Sequence, residues 1–322
     1  MGSQLPLNFV SIHALDSGWF SMPERYFVHP LEDQKARKQV PSLSFLIQHH
    51  DVEASMNTKI VFDLGLRRDI TRYSPPIRAH IATREPIDTS TDVVASLARG
   101  GLVPDDVDAV ILSHLHWDHC GSPADFKTSQ FIVGNGAMAL LSEQPTGMSH
   151  NHFESNLLPH DRTFELHHPT APRYDTVLDG AASNALTMRL ANRQWQHLGP
   201  FPYTLDVFDD GSLYIVWAPG HLAGHINVLC RKKDGTYVYL AGDAGHDLRL
   251  LSGEKEIAYW RDENHQMCCI HQDIDQARRT LDTIREAWSN KTSLGAVEVV
   301  LAHDAAWASK ARVAGRYFPG EL

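Results

Sequence analysis

The sequence predicts an α/β protein in which two sheets pack face to face with helices on the outside. Three observations carry this expectation. Apolar strand-like runs fall into two batches, one between Ser42 and Val133 and one between Ser212 and Leu301. A helical pattern stands near the end of each batch. The 322 residues, 43% of them hydrophobic, supply enough apolar surface for one large core, and the whole chain 1–322 is read as a single domain.

Residues 42–48 and 59–65 read as two strands joined by a polar turn, with Gly65 closing the second. A helix is expected over 91–99: Ser90 or Asp92 caps its start, Val93, Val94 and Leu97 share a face, and Gly100-Gly101 stops it. The run 109–112 follows as a buried strand, 130–133 as another, and 137–142 as a short helix. Between 144 and 204 the periodicity is lost and Pro, His, Asn and aromatic residues become common, so this span is read as an inserted cap near the pocket mouth. Its His150, His152, His160, His167 and His168 have no repeating spacing and are read as solvated or cap-packing residues. Residues 1–41 are read as an N-terminal extension. Its Trp19, Phe20, Met22, Tyr26 and Phe27 either fold over the pocket as an aromatic wall or pack plainly on the sandwich. Order returns with 212–217, 226–230 and 236–240, the last two forming a hairpin through Asp234-Gly235. After Asp273, the residues Ile274, Ala277, Leu281, Ile284 and Trp288 recur at helical spacing, and 297–301 is a final buried strand.

Composition excludes several classes. A formal charge of −10 argues against a general nucleic-acid binder, which needs clustered Lys and Arg to neutralise phosphates. No stretch has the roughly 18–20 continuous apolar residues of a membrane span, and the N-terminus lacks the pattern of a signal peptide, so a cytoplasmic protein acting on a small molecule is expected. Cys120, Cys230, Cys268 and Cys269 form neither a disulfide framework nor a Cys-x-x-Cys knuckle; Cys120 flanks the cluster described next, where it is open to oxidation or contact with a metal.

Chemistry concentrates where the strand 109–112 ends, in Ser113-His114-Leu115-His116-Trp117-Asp118-His119-Cys120-Gly121. A lone His beside an apolar strand is usually a satisfied core residue, but His114, His116, Asp118 and His119 put four strongly polar groups within six residues. Burying them without partners costs several kcal/mol, whereas a divalent cation satisfies them together. Imidazole and carboxylate without thiolate suit zinc, and also Mn or Fe. Because His119 directly follows Asp118, one ion does not comfortably take all four, and two metals are inferred. Three further polar residues stand where other apolar runs stop: His221 in Pro219-Gly220-His221, Asp243 after Gly242, and His303 after the last strand.

The order H-x-H-x-D-H, PGH-x-x-GH, GD and a late strand-end His, spanning about Ser42 to Asp304, resembles the metallo-β-lactamase superfamily. The resemblance implies a four-layered αββα sandwich with a dinuclear site at the edge of the sheets. His114, His116 and His221 would hold one ion, Asp118, His119 and His303 the other, and Asp243 would bridge them. His225 would stand behind these ligands, and Asp63, in the Asp-Leu-Gly turn, would either steady the site from outside or merely form the turn. Length and motif look most like the lactone-hydrolysing branch that includes the acyl-homoserine lactonases. That branch has a Tyr three residues after the bridging Asp, where this chain has His246.

The expected activity is hydrolysis of a lactone of a small apolar or aromatic substrate by a hydroxide held between two cations, with Asp118 moving the proton and His246 as general acid or oxyanion donor. A thioesterase or lactamase on an aromatic or polyketide-like substrate is the alternative among hydrolases, and an iron-dependent oxidoreductase is the alternative from another class. Neither a flavin domain nor a cationic pocket for a thiol substrate is evident from the sequence.

Overall fold

A computed structural model describes residues 8–51, 56–142, 152–171, 185–262 and 264–322. Two six-stranded sheets dominate. The first runs, edge to edge, Val10–Leu15, Ser44–Asp51, Met56–Phe62, Ala109–Ile111, Gln130–Val133 and Thr163–Glu165. Its first three strands are antiparallel and the rest parallel. The second runs Gln196–Leu198, Phe201–Asp206, Leu213–Trp217, Ile226–Arg231, Tyr237–Leu240 and Val297–Val300, antiparallel until the parallel last pair.

Side-chain alternation along the strands explains the layering. Ile60, Phe62, Ala109, Ile111 and Ile132 point from the first sheet into a core shared with Ile215, Val228, Val238, Leu240 and Val300 of the second. The intervening Val61, Val110 and Phe131 face outward and pack with Val93 and Leu97 of the helix Val93–Arg99. On the far side, Val216, Leu229 and Tyr239 pack with Ala277, Leu281 and Ile284 of the helix Ile274–Trp288. Central strands are thus buried on both faces, which is why they read as continuous apolar runs. Both helices start as expected: Asp92 accepts from the Ala95 amide at 2.8 Å and Asp273 from the Gln276 amide at 2.9 Å. Trp288, on the last turn, is 39% exposed, and Ala287 closes the buried stripe in its place.

Two spans contribute strands to the sheets. Among the described residues of 1–41, Val10–Leu15 is an edge strand of the first sheet whose Val10, Ile12 and Ala14 enter the shared core. Among the described residues of 144–204, Thr163–Glu165 closes one sheet, and Gln196–Leu198 with the start of Phe201–Asp206 closes the other. Edge strands of a few residues are held by backbone hydrogen bonds to a neighbour, so a short, mixed run such as Thr-Phe-Glu carries almost no period of its own. His150 lies outside the described residues. His167 and His168 contact the Trp195 and Trp217 rings rather than gathering round a metal.

Candidate metal centre

The strand Ala109–Ile111 delivers the cluster. Leu112 continues its pairing to the Ile132 carbonyl at 3.0 Å, and the Ser113 carbonyl accepts from the Ile226 amide of the other sheet at 2.9 Å, pinning the two sheets at this edge. The chain then turns into the single-turn helix Trp117–Cys120, which starts after His116. His114, His116, Asp118 and His119 are all buried.

The other contributors arrive on tight turns. Gly220 has φ +125°, and a Cβ there would lie 2.2 Å from the Ala277 backbone nitrogen, so only glycine lets the turn before His221 rest on the helix Ile274–Trp288. Amides of Gln272 and Asp273 donate to the His221 and Gly220 carbonyls, each at 2.9 Å. Gly242, at φ +46°, brings Asp243 against Ser113 and His225 in the same way. His303 leaves the last strand with its Nδ1 donating to the Pro41 carbonyl at 2.7 Å.

Two groups of potential ligand atoms result, each with its atoms within 4.8 Å of one another: His114, His116, His221 and Asp243, and Asp118, His119 and His303. In the first, His116 Nδ1 lies 2.9 Å from His114 Nε2 and 3.1 Å from His221 Nε2, and Asp243 Oδ2 lies 3.3 Å from His221 Nε2. Tetrahedral coordination at about 2.0–2.1 Å per bond needs donors about 3.3 Å apart. In the second, Asp118 Oδ2 is 3.5 Å from His303 Nε2. The other oxygen of Asp243, Oδ1, is 3.2 Å from His119 Nε2 and 3.1 Å from His303 Nε2, so this one carboxylate faces both groups. His119 Nε2, His221 Nδ1 and Asp243 Oδ1 are buried without completing a hydrogen bond.

Hydrogen bonds behind the ring assign the tautomers. A carbonyl or carboxylate can only accept, so His303 Nδ1 carries a proton, as does His119 Nδ1, which donates to Asp63 Oδ2 at 2.8 Å. Each ring thereby turns Nε2 to the centre, the atom that offers a lone pair once its own proton leaves. Asp63, 1% exposed, also accepts from the Ser113 amide and hydroxyl, both at 2.7 Å, and its backbone adopts φ +59°, a region Asp tolerates. His225 has neither nitrogen free: Nδ1 donates to the Ala218 carbonyl at 2.7 Å and Nε2 accepts from the Asp243 amide at 3.1 Å. The Cys120 thiol points at the His114 carbonyl, 3.7 Å away, and burial pushes it well above its ordinary range.

Electrostatics divide the centre. Burial holds His114 and His221 well below the ordinary histidine value, and His225 at about 4. For His119, burial is outweighed by the carboxylates of Asp243 and Asp63, which hold it well above that value, and His303 is raised against burial by Asp243 and Asp118. Burial opposes ionisation of Asp243, but His119, His246 and His303 overcome it and keep the carboxyl well below the usual range. Donors and charges therefore suit divalent cations: neutral imidazoles on one side, and on the other protons that metal binding would displace. The His and Asp clusters fit a dinuclear arrangement sharing Asp243.

Every ligand candidate named from the sequence is at this centre. His246 is buried rather than on the surface, with Nε2 3.1 Å from Asp243 Oδ2 and its ring 4.7 Å from Phe27. Phe20, Met22 and Phe27 of the N-terminal segment line the cavity over the centre. From the span 144–204, Phe153 stacks on His116 at 6.1 Å and Glu154 pairs with Arg67, so part of it does reach the site. Sequence reasoning missed Arg84, His80 and Ile270, which also line the cavity. They sit in stretches without a motif, so nothing local marks them.

Over 286 residues the chain is 28% identical to the cytochrome P450 monooxygenase mpaDE of Penicillium roqueforti, covering 82% of this chain but 30% of that protein. Over 243 residues it is 29% identical to the gamma-lactamase FDB1 of Fusarium pseudograminearum, covering 74% and 53%. The chain thus spans about half or less of these relatives' lengths. A B. thuringiensis AiiA variant with N-decanoyl-L-homoserine bound at its active site superposes with a TM-score of 0.65 at 16% identity, covering 99% of this chain and 100% of the other, a likeness of fold. Residues 38–288, which include all the centre's residues except His303, match a family description in full agreement with the layered sheets, and on that match the chain belongs to the metallo-beta-lactamase superfamily.

Proposed function

We propose that the chain is a dinuclear metal-dependent hydrolase, loaded with two zinc ions, that opens the ring of a lactone. The carrying observation is Asp243, whose two oxygens face two separate groups of buried donors beneath an open cavity. The gamma-lactamase relatives favour a lactam as the second substrate class, since the same attack on a carbonyl serves both.

When bound, two cations about 3.5–4 Å apart would supply water activated near neutral pH and Lewis-acid polarisation of the carbonyl. The residues do the rest. His114, His116 and His221 hold one position, Asp118, His119 and His303 the other, and Asp243 spans both. Asp118, at the cavity wall, accepts the proton released on attack and returns it to the leaving oxygen. His246, whose Nε2 donates to Asp243, lines the same cavity and is a second proton carrier through Nδ1. Phe20, Met22, Phe27 and Trp117 exclude bulk water and grip an apolar ring. Metal determination on the purified protein, with a screen of lactones, lactams, thioesters and simple esters, tests this. Two equivalents of zinc with lactone turnover support it; redox-active iron without hydrolysis of any of these overturns it.

A further inference from the structure

The cavity over the centre, about 30 Å³, and a neighbouring outer one of about 330 Å³ share His80, Arg84 and Ile270 as lining. Three arginines line the outer cavity, and among the described residues no acidic side chain does, on a chain whose formal charge is −10. The three are differently engaged. Arg37 donates to the Ser21 hydroxyl at 2.7 Å and to the Thr83 carbonyl at 2.9 Å. Arg25 lies over the Tyr26 ring at 4.6 Å and donates to its hydroxyl. Arg84, which ends the 3-10 turn Ala82–Arg84, is 7% exposed, and among the described residues it makes no ion pair and no hydrogen bond. Its closest ring is Phe27, 6.0 Å from the guanidinium carbon. Burial pulls it below the ordinary arginine value, with Asp118 opposing.

A guanidinium that lines a cavity, with little bulk water around it and no protein acceptor among the described residues, gains most from a ligand anion that enters the cavity. Asp118 does not supply the acceptor, being engaged at the metal centre in the reading above. We propose that Arg84 is the anion-binding residue of this pocket and that the substrate is a cyclic ester or amide carrying a carboxylate, held at the junction of the two cavities while its carbonyl reaches the centre. This substrate class rests on the hydrolase reading. A carboxylate is favoured over a phosphate because the planar guanidinium fork pairs with it in two parallel bonds, whereas a tetrahedral phosphate needs further donors and Arg25 and Arg37 are already engaged. Apolar Phe27 and Ile270 beside Arg84 suit a flat ring behind the carboxylate.

Trp117 and Trp260, one in each cavity, report binding by fluorescence. With metal-loaded protein, phenylacetate and phenylacetamide are titrated, two probes of one shape that differ in charge. Wild type is expected to bind phenylacetate about tenfold or more tighter, Arg84→Gln to show a preference under about threefold, and Arg84→Lys to recover part of it as a point charge. A tenfold preference that survives in Arg84→Gln means the carboxylate sits on the cations and overturns the proposal, as does no preference in wild type. Should Arg84→Gln fail to fold, Arg84→Met and Arg84→Lys carry the same comparison. A second arm compares kcat/KM for 5-oxotetrahydrofuran-2-carboxylate and its carboxamide, where the preference is expected in KM. Lactone turnover with no preference between them sinks the anion site and leaves the hydrolase. Arg84-dependent phenylacetate binding without turnover of any lactone, lactam, thioester or ester sinks the hydrolase and leaves the anion site.

Discussion

Replacing Asp63 by Asn tests how far the centre depends on a residue that is not itself a ligand. The buried carboxylate accepts from the Ser113 amide and hydroxyl at 2.7 Å and from His119 Nδ1 at 2.8 Å. An amide of the same shape can keep the bond to the Ser113 amide only by placing its NH2 where Oδ2 stood, facing the N–H of His119. That clash is relieved if the His119 proton moves to Nε2, the atom offered to a cation. A hydrogen bond to a charged group is worth about 1.5–3 kcal/mol, or roughly 10- to 150-fold in a dissociation constant, and supporting residues of this kind change metal affinity about 10–100-fold. The expected result is two unequal dissociation constants in a competition with a chromophoric chelator. The half holding His119 weakens about 10–100-fold, and the half built on His114, His116 and His221 changes by less than about fivefold. Circular dichroism should show the sheets retained. If both constants stay within about threefold of wild type in a folded Asp63→Asn protein, Asp63 only shapes its turn and the tautomer argument is wrong.

Three further outcomes are expected. His116→Ala should abolish turnover and lower the metal content by at least one equivalent while the far-UV spectrum is unchanged; normal activity would contradict the ligand assignment. His246→Phe, which keeps the ring beside Phe27 but removes both nitrogens, should lower kcat about 10²–10⁴-fold with little change in metal content, whereas His246→Tyr should recover part of it; equal kcat in wild type and Phe variant would remove His246 from the chemistry. His225 is held at about 4 by burial, so below about pH 6.5 the unfolded chain takes up a proton that the folded protein refuses. The stability this represents is complete above pH 6.5 and is lost as pH falls towards 4, about 2 kcal/mol between about pH 8 and pH 5. His119 and His303, raised against burial, act in the opposite direction, so the measurement is a difference: urea unfolding of the metal-free protein at both pH values, in wild type and His225→Gln. An equal loss in both proteins would refute the assignment.

The central strands, the two capped helices and the ligand cluster are legible in the chain because each is a local pattern. Burial on both faces makes 109–112 a continuous apolar run, and Asp92 and Asp273 sit one residue before the helices they cap. The strand Val10–Leu15 is legible in principle, since the apolar Val10, Ile12 and Ala14 alternate with the polar Ser11 and His13. Thr163–Glu165 and Gln196–Leu198 were not, because three residues beside a neighbouring strand need no pattern of their own.

The sequence by itself determined which side chains stand at strand ends with ligand chemistry, and that they come in the order of this superfamily, because residue type and spacing are properties of the chain. It could not determine that Asp243 turns one oxygen to each group, that His225 is used up by the Ala218 carbonyl and the Asp243 amide, or that Arg84 lines the cavity with no hydrogen-bond or ion-pair partner among the described residues. Those facts concern distances between segments far apart in sequence. Only the packing of the two sheets, which pins Ser113 to Ile226 and rests the Gly220 turn on the helix Ile274–Trp288, decides them.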